Sequence, residues 1–181
     1  MKKLQKGRLV LQEVRLSYPS LFKKAVFDGN ETKFEATFIL DKDKHKTEIE
    51  ALKEMVNNVV KDAKLRKVPA HKIALKDGDE EGKEEYKNAY TLKCSSNKRP
   101  QVFDRDKTPL VEEDGRPYAG CYVNAIVDLW GQNNSYGKRI NGNFYAVQFA
   151  KDGEAFGVGA EDFSDQFDEI EDIESDGDFP F

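Results

Sequence analysis

The sequence predicts an all-β fold with one added α-helix, closed into a small antiparallel barrel. Three observations carry that prediction. Short apolar runs, alternating or continuous, recur from residue 8 to residue 158 and are separated by Gly-, Asn- and Asp-rich turn signals. Only residues 47–64 switch to a three- and four-residue period. No strand–helix–strand rhythm runs along the chain, so a parallel doubly wound sheet would lack its helices.

Residues 8–16, RLVLQEVRL, form the first strand, and Leu9, Leu11 and Val14 do not hold one parity, which predicts a bulge or a strongly bent strand. Tyr18-Pro19-Ser20 is expected to stop it. Residues 21–27 are ambiguous, and Asp28-Gly29-Asn30 is a turn. Residues 33–40 alternate cleanly, with Phe34, Ala36, Phe38 and Leu40 against Lys33, Glu35 and Thr37. In the helix, Ile49, Leu52, Val56, Val59, Val60 and Ala63 make one apolar face, and Thr47 with Glu50 reads as a capping box. One greasy face must cover a sheet edge or a barrel end.

After Pro69, residues 77–85 read as a solvated, charged insertion. Asp77, Asp79, Glu81 and Gly82 resemble half of a calcium loop, but Asn88 stands where a bidentate Glu is required. Residues 86–94 resume as strand, and Gln101–Phe103 is a short one. Residues 104–109 are turn-rich, and Glu113-Asp114-Gly115 is a polar hairpin signal. Residues 119–130, AGCYVNAIVDLW, are continuous enough to be buried on much of both faces. Residues 131–142, GQNNSYGKRING, read as a loop. Residues 144–149 are the next strand, and residues 155–158 a final short one.

Charge divides the chain in two. The protein carries 29 basic and 34 acidic side chains, a net charge of -5. Ten of the acids, and no Lys or Arg, lie in residues 161–181, so residues 1–160 hold 29 basic against 24 acidic groups and a net +5. Self-repulsion and scarce apolar surface predict a disordered acidic tail at 161–181, attached to one basic domain at 1–160. No apolar run approaches the ~20 residues of a membrane span, and the basic start lacks a signal-peptide core, so the cytoplasm is the expected location. Cys94 and Cys121 each sit in a strand and read as reduced, buried thiols.

Little in the chain supports catalysis. Only two histidines exist: His45 reads as part of the solvated approach to the helix, and His71 as a loop residue. Gly157-Val158-Gly159 lacks the rest of a dinucleotide fingerprint, no phosphate loop is present, and no zinc spacing exists. No cofactor or metal is implied. A metal-dependent nuclease would need acids from separate strands, with Asp104, Asp106 and Asp128 the first to inspect.

The positive signal is for nucleic acid. Two segments interleave cations with aromatics. One carries Lys98, Arg99, Phe103, Arg105 and Lys107; the other carries Trp130, Tyr136, Lys138 and Arg139. Single strands are held by bases stacking on aromatic faces and by phosphates pairing with Lys or Arg. Tyr90, Tyr118 and Tyr122 are further candidates for an aromatic floor.

The segments at 90–104, YTLKCSSNKRPQVFD, 118–130, YAGCYVNAIVDLW, and 144–159, FYAVQFAKDGEAFGVG, resemble the single-stranded DNA-binding proteins of phages, a family once known only as an uncharacterised phage domain. The acidic end DGDFPF is similar to the tips of bacterial and T7-like single-strand binders, which also end on an aromatic. The resemblance implies an OB-fold barrel and a non-enzymatic protein that coats single-stranded DNA during phage replication and recombination. It implies too that Asp176, Asp178, Phe179, Pro180 and Phe181 recruit phage or host replication and recombination proteins. The site of action would be the host cytoplasm, and family analogy with tail exchange points to a homodimer. Two features depart from the pattern. The helix follows the second strand, whereas a standard barrel of this type places it after the third, and the excess of +5 is modest. The competing reading is a DNA-mimicking or protein-interaction module without DNA-binding activity.

Overall fold

The computed structural model describes residues 2–156 and 164–170. Its elements, in chain order, are strands β1 (Lys2–Lys3), β2 (Leu9–Ser20), β3 (Val26–Phe27), β4 (Asn30–Glu31) and β5 (Phe34–Asp41), helix α1 (Lys46–Asp62), and strands β6 (Leu75–Asp77), β7 (Ala89–Ser96), β8 (Gln101–Phe103), β9 (Tyr122–Asn134) and β10 (Gly137–Lys151).

Five of these strands close a ring. β2 pairs antiparallel with β5 on one side and β9 on the other; β5 pairs with β7, and β9 with β10. The ring shuts where β10 meets β7 in parallel, through Gly142 opposite Cys94. Pairing is thus antiparallel except at this seam and between β10 and β8, which is also parallel. The result is an OB-fold-like closed barrel. β6 extends the sheet beyond β7, β1 pairs with β2, and β3 and β4 form a separate small hairpin around Asp28 and Gly29.

Alternation explains the core. Leu9, Leu11, Val14 and Leu16 of β2 face inward, and the parity change between Leu11 and Val14 coincides with a register shift against β9. Of the two causes the broken alternation allowed, the bulge is the one found. Phe34, Ala36, Phe38 and Leu40 meet Leu92 and Cys94 of β7 inside the barrel, and Phe38 lies edge-on to Phe144 of β10. Each large apolar side chain sealed here contributes about 1.5–3 kcal/mol. The helix lays Ile49 and Leu52 on the core, with Val56, Val59 and Val60 beside them, over the end of β9. Cys94 and Cys121 are both buried and reduced; burial pushes the Cys121 thiol up to about 11 and the Cys94 thiol well above its ordinary value.

Several expectations are corrected. β2 continues through Tyr18-Pro19 to Ser20 because a second register shift, between Ser17 and Ser20, absorbs the proline. The helix is capped by His45, not by a Thr47–Glu50 box, and no side chain caps its amide groups. His45 itself is buried: its Nδ1 accepts from the Asp41 amide, and its Nε2 lies 3.1 Å from the Gln12 carbonyl. β9 is buried on one face only, through Val123, Ala125, Val127 and Leu129, while its other side chains are partly exposed. Glu112–Asp114 is a 3-10 turn ending on Gly115 rather than a hairpin. Ala155 and Phe156 belong to no strand, and residues 157 and 158 lie outside the described residues.

The largest correction concerns residues 131–142. They are mostly strand, with β9 running to Asn134 and β10 starting at Gly137. Two of the glycines serve packing rather than turning. A Cβ on Gly131 would lie 3.0 Å from Ala63 Cβ and 3.1 Å from Val59 Cγ1 of the helix region. A Cβ on Gly142 would collide with β7.

Candidate nucleic-acid interface

Outward-facing residues of β9 and β10 set the floor of the site. On β9 these are Tyr122, Asn124, Ile126, Asp128 and Trp130, paired across the hairpin with Lys151, Gln148, Ala146, Asn143 and Asn141. Around the Trp130 end lies a groove of about 700 Å³, walled by Arg8, Lys33, Lys98, Arg99, Trp130 and Tyr145. Trp130 is 45% exposed although it stands on a barrel strand. The Arg8 guanidinium lies 3.9 Å from the centre of the Tyr145 ring, and the Tyr145 hydroxyl donates to Asp128. Arg8 Nε, itself buried, has no hydrogen-bond acceptor among the described residues.

The groove continues in two directions. Past Ile126 and Ala146 it opens into an apolar hollow of about 290 Å³, edged by Phe103 and Lys107. Past Ser95 it joins a hollow of about 280 Å³ that brings together Lys72, Lys76, Lys93 and Arg139. Lys76 and Lys93 also line a third hollow, of about 300 Å³, that ends at Tyr18 and Lys83. A bent trench results. Its cations Arg8, Lys33, Lys72, Lys76, Lys93, Lys98, Arg99 and Arg139 have no ion-pair partner among the described residues. Cations outnumber the two carboxylates that line the trench, Glu35 and Glu81 in its third hollow, and an excess of one sign on a concave, partly apolar surface raises the local potential for an anion.

The sequence candidates divide accordingly. Lys98, Arg99 and Trp130 come together in the groove, with Phe103, Lys107 and Arg139 on its extensions. Arg105 is exposed in the turn after β8, where its carbonyl accepts from Gln148 Nε2. Tyr136, 83% exposed, and Lys138 sit on the β9–β10 hairpin at its outer end. Tyr122 lies at the opposite end of β9, in a mixed-charge cleft beside Arg15 and Lys151. The Tyr118 hydroxyl donates to Asp152 (2.7 Å) and accepts from the Gly153 amide, so it pins a turn. Tyr90 packs between Lys42 and Lys53 on the helix side. The partner-binding candidates Asp176, Asp178, Phe179, Pro180 and Phe181 lie outside the described residues.

The other acids are engaged elsewhere. Asp104 pairs with Arg116, which holds its carboxyl below the usual range, and Asp106 accepts from the Thr108 amide. In the half-calcium loop, Lys42 Nζ sits 2.8 Å from Asp77 and 2.6 Å from Asp79. Among the described residues no three metal-ligating side chains converge, and no helix is long and apolar enough to cross a membrane.

Sequence reasoning missed Arg8, Lys33, Lys72, Lys76, Lys93 and Tyr145. They come from five separate places in the chain, Lys72 and Lys76 being near neighbours, and only barrel closure brings them to one side. Outward parity on β7 and β10 was the one available signal for Lys93 and Tyr145.

Comparison with known proteins adds the following. The model of the family described as Enterobacter phage Enc34, ssDNA-binding protein, matches residues 7–179. The chain is 33% identical over 174 residues to putative protein p50 of Acyrthosiphon pisum secondary endosymbiont phage 1, covering 90% of this chain and 94% of the relative. The structure of the single-stranded DNA-binding protein from bacteriophage Enc34 in complex with ssDNA superposes with a TM-score of 0.80 at 31% identity, covering 87% of this chain and 97% of that one. The single-stranded DNA binding protein encoded by bacteriophage T7 shares the fold alone, with a TM-score of 0.53 at 13% identity over 93% of this chain and 100% of that one. With a family match that leaves out only the two ends, the chain belongs to the Enterobacter phage Enc34 ssDNA-binding protein family.

Proposed function

We propose that the chain is a non-catalytic, sequence-nonspecific binder that coats and protects single-stranded DNA during phage replication and recombination. The observation that carries this reading is the trench: ring faces at Trp130 and Tyr145 lie among cations that have no ion-pair partner among the described residues. Its relative from bacteriophage Enc34 has been solved with ssDNA, which supports the same ligand. Bases stack on Trp130, each stack being worth roughly 1–3 kcal/mol, while Arg8, Lys98 and Arg99 take phosphates. Nothing in that set reads a base edge, so this part of the trench is indifferent to sequence.

Residues 1–160 act as the binding domain and residues 161–181 as an acidic arm. Ten carboxylates tethered beside a basic trench reach a high effective concentration. They occupy the trench when DNA is absent and leave when it arrives. Phe179-Pro180-Phe181 then offers two rings and a terminal carboxylate to replication and recombination proteins in the host cytoplasm. Exchange of arms between two copies gives a homodimer.

The test is a titration of the whole protein with poly(dT), following Trp130 fluorescence. Saturable quenching that weakens with salt is the expected result. Absence of binding, even after residues 161–181 are removed, would leave a DNA-mimicking or protein-interaction module instead.

A further inference from the structure

The far end of the trench holds an aromatic residue that the single-strand reading does not use. Tyr18 has φ of +46°, a left-handed conformation costly for a bulky residue, and it is still 59% exposed. The Lys83 ammonium fixes it from one side: Nζ donates to the Tyr18 hydroxyl at 3.0 Å and lies 4.4 Å from the ring centre. That bond also raises the Lys83 pKa, so the cation stays charged. An exposed ring held in a strained backbone by a charge-assisted bond is organised for a contact, not for packing.

Beside it lies the hollow of about 300 Å³, at the small end of the roughly 300–1,000 Å³ range of ligand clefts. Its walls are polar in a specific way. Lys76 and Lys93 line both this hollow and the next one along the trench, and the carboxylates of Glu35 and Glu81 line it with Tyr18 and Lys83. Glu81 is held in place by the Thr91 hydroxyl at 2.8 Å. Carboxylates repel a phosphate but accept from an exocyclic amino group such as cytosine N4.

We propose that Tyr18 and Lys83 form a second nucleobase subsite, remote from Trp130, which takes a base bearing an amino group while Lys76 and Lys93 hold the phosphates leading to it. This rests on the single-strand reading above and extends it: one strand is gripped at both ends of a bent path. Occupancy of the second end therefore requires a strand long enough to span the trench.

The test compares the full-length protein with its Tyr18→Ala and Tyr18→Asn variants, Asn being a residue that tolerates the left-handed backbone. Labelled oligo(dC) and oligo(dT) of about 4 and about 16 nucleotides, the span of footprints found on single OB folds, are titrated by anisotropy. Both variants are expected to bind the short strands as the parent does, and to lose roughly 5- to 140-fold affinity for long oligo(dC). The loss for long oligo(dT) is expected to be smaller. Unchanged long-strand affinity in the Asn variant overturns the subsite, as does an equal loss on short and long strands. Equal losses for dC and dT overturn the role of the carboxylates. A parent protein that binds no strand at all overturns the single-strand reading itself, which is a separate outcome.

Discussion

Gly142 of β10 stands opposite Cys94 of β7, and a Cβ on it would lie 2.5 Å from the Lys93 carbonyl and 2.9 Å from the Cys94 sulfur. The barrel therefore closes at a point where one side chain has been removed to let two backbones meet. Gly142→Ala is expected to cost about 1–3 kcal/mol, the usual cost of overpacking, seen as a lower urea midpoint. Gly131→Ala is expected to cost less, because its nearest atoms are side-chain atoms of Ala63, Val59 and Leu65 at 3.0–3.2 Å, which need give way by only a few tenths of an ångström, and not backbone at 2.5 Å. The reverse order of the two midpoints would contradict the seam.

Trp130→Ala is expected to lower affinity for short and long single strands alike, by roughly 5- to 140-fold. Trp130→Phe should recover part of that loss. Oligonucleotide anisotropy at fixed salt measures both, and thermal melting of each variant shows whether the barrel is intact. An Ala variant that binds like the parent removes Trp130 from the interface.

Arg99→Ala and Arg8→Ala are each expected to make the plot of log affinity against log salt shallower by about 0.7, one phosphate contact on a single strand. Arg105→Ala, on the exposed turn outside the trench, should leave the slope unchanged. Equal slopes for all three variants would mean that the trench does not hold the backbone.

Removal of residues 161–181 is expected to tighten single-strand binding, most of all at low salt. The gap between full-length and shortened protein should shrink as the Debye length falls from about 30 Å at 0.01 M to about 3 Å at 1 M salt. Identical isotherms across that range would end the self-competition proposal.

The Lys42 cluster gives a pH dependence. Its hydrogen bonds hold the carboxyls of Asp77 and Asp79 below their ordinary value and raise Lys42 above its own. Depressed carboxylates contribute stability above their unfolded pKa of about 3.9, and it is lost as pH falls through the folded values. The raised lysine contributes stability below about 10.4, lost as pH climbs through its folded value. Lys42→Met should therefore be less stable than the parent near neutrality, with the difference closing below about pH 4. These groups are partly exposed, so high salt should reduce the effect. Parallel urea midpoints from neutrality down to about pH 2 would show that the cluster is not coupled to folding.

Much of the fold was legible because barrel strands and a surface helix differ in period. The alternation at Phe34, Ala36, Phe38 and Leu40 and the spacing of Ile49, Leu52, Val56 and Val59 each had one reading. Gly131 and Gly142 misled for a physical reason: glycine marks a turn through its backbone freedom, but here it marks a close approach through its missing Cβ. The site was half legible. Lys98, Arg99 and Trp130 sit in segments where cations and rings are neighbours in sequence. Arg8 and Lys33 are lone charges just before strands and Lys93 is one on a strand, and nothing local distinguishes them from solvated surface. Tyr118 and Tyr122 carried the right chemistry, but β9 places Tyr122 at its far end, and a turn engages the Tyr118 hydroxyl.

β10 is a party wall. It completes the cylinder against β7 and carries β8 on its flank, while Asn143, Tyr145 and Ala146 furnish the outer surface beside Trp130. Architecture and grip are therefore inherited together along those fifteen residues, the inward side chains serving the one and the outward side chains the other.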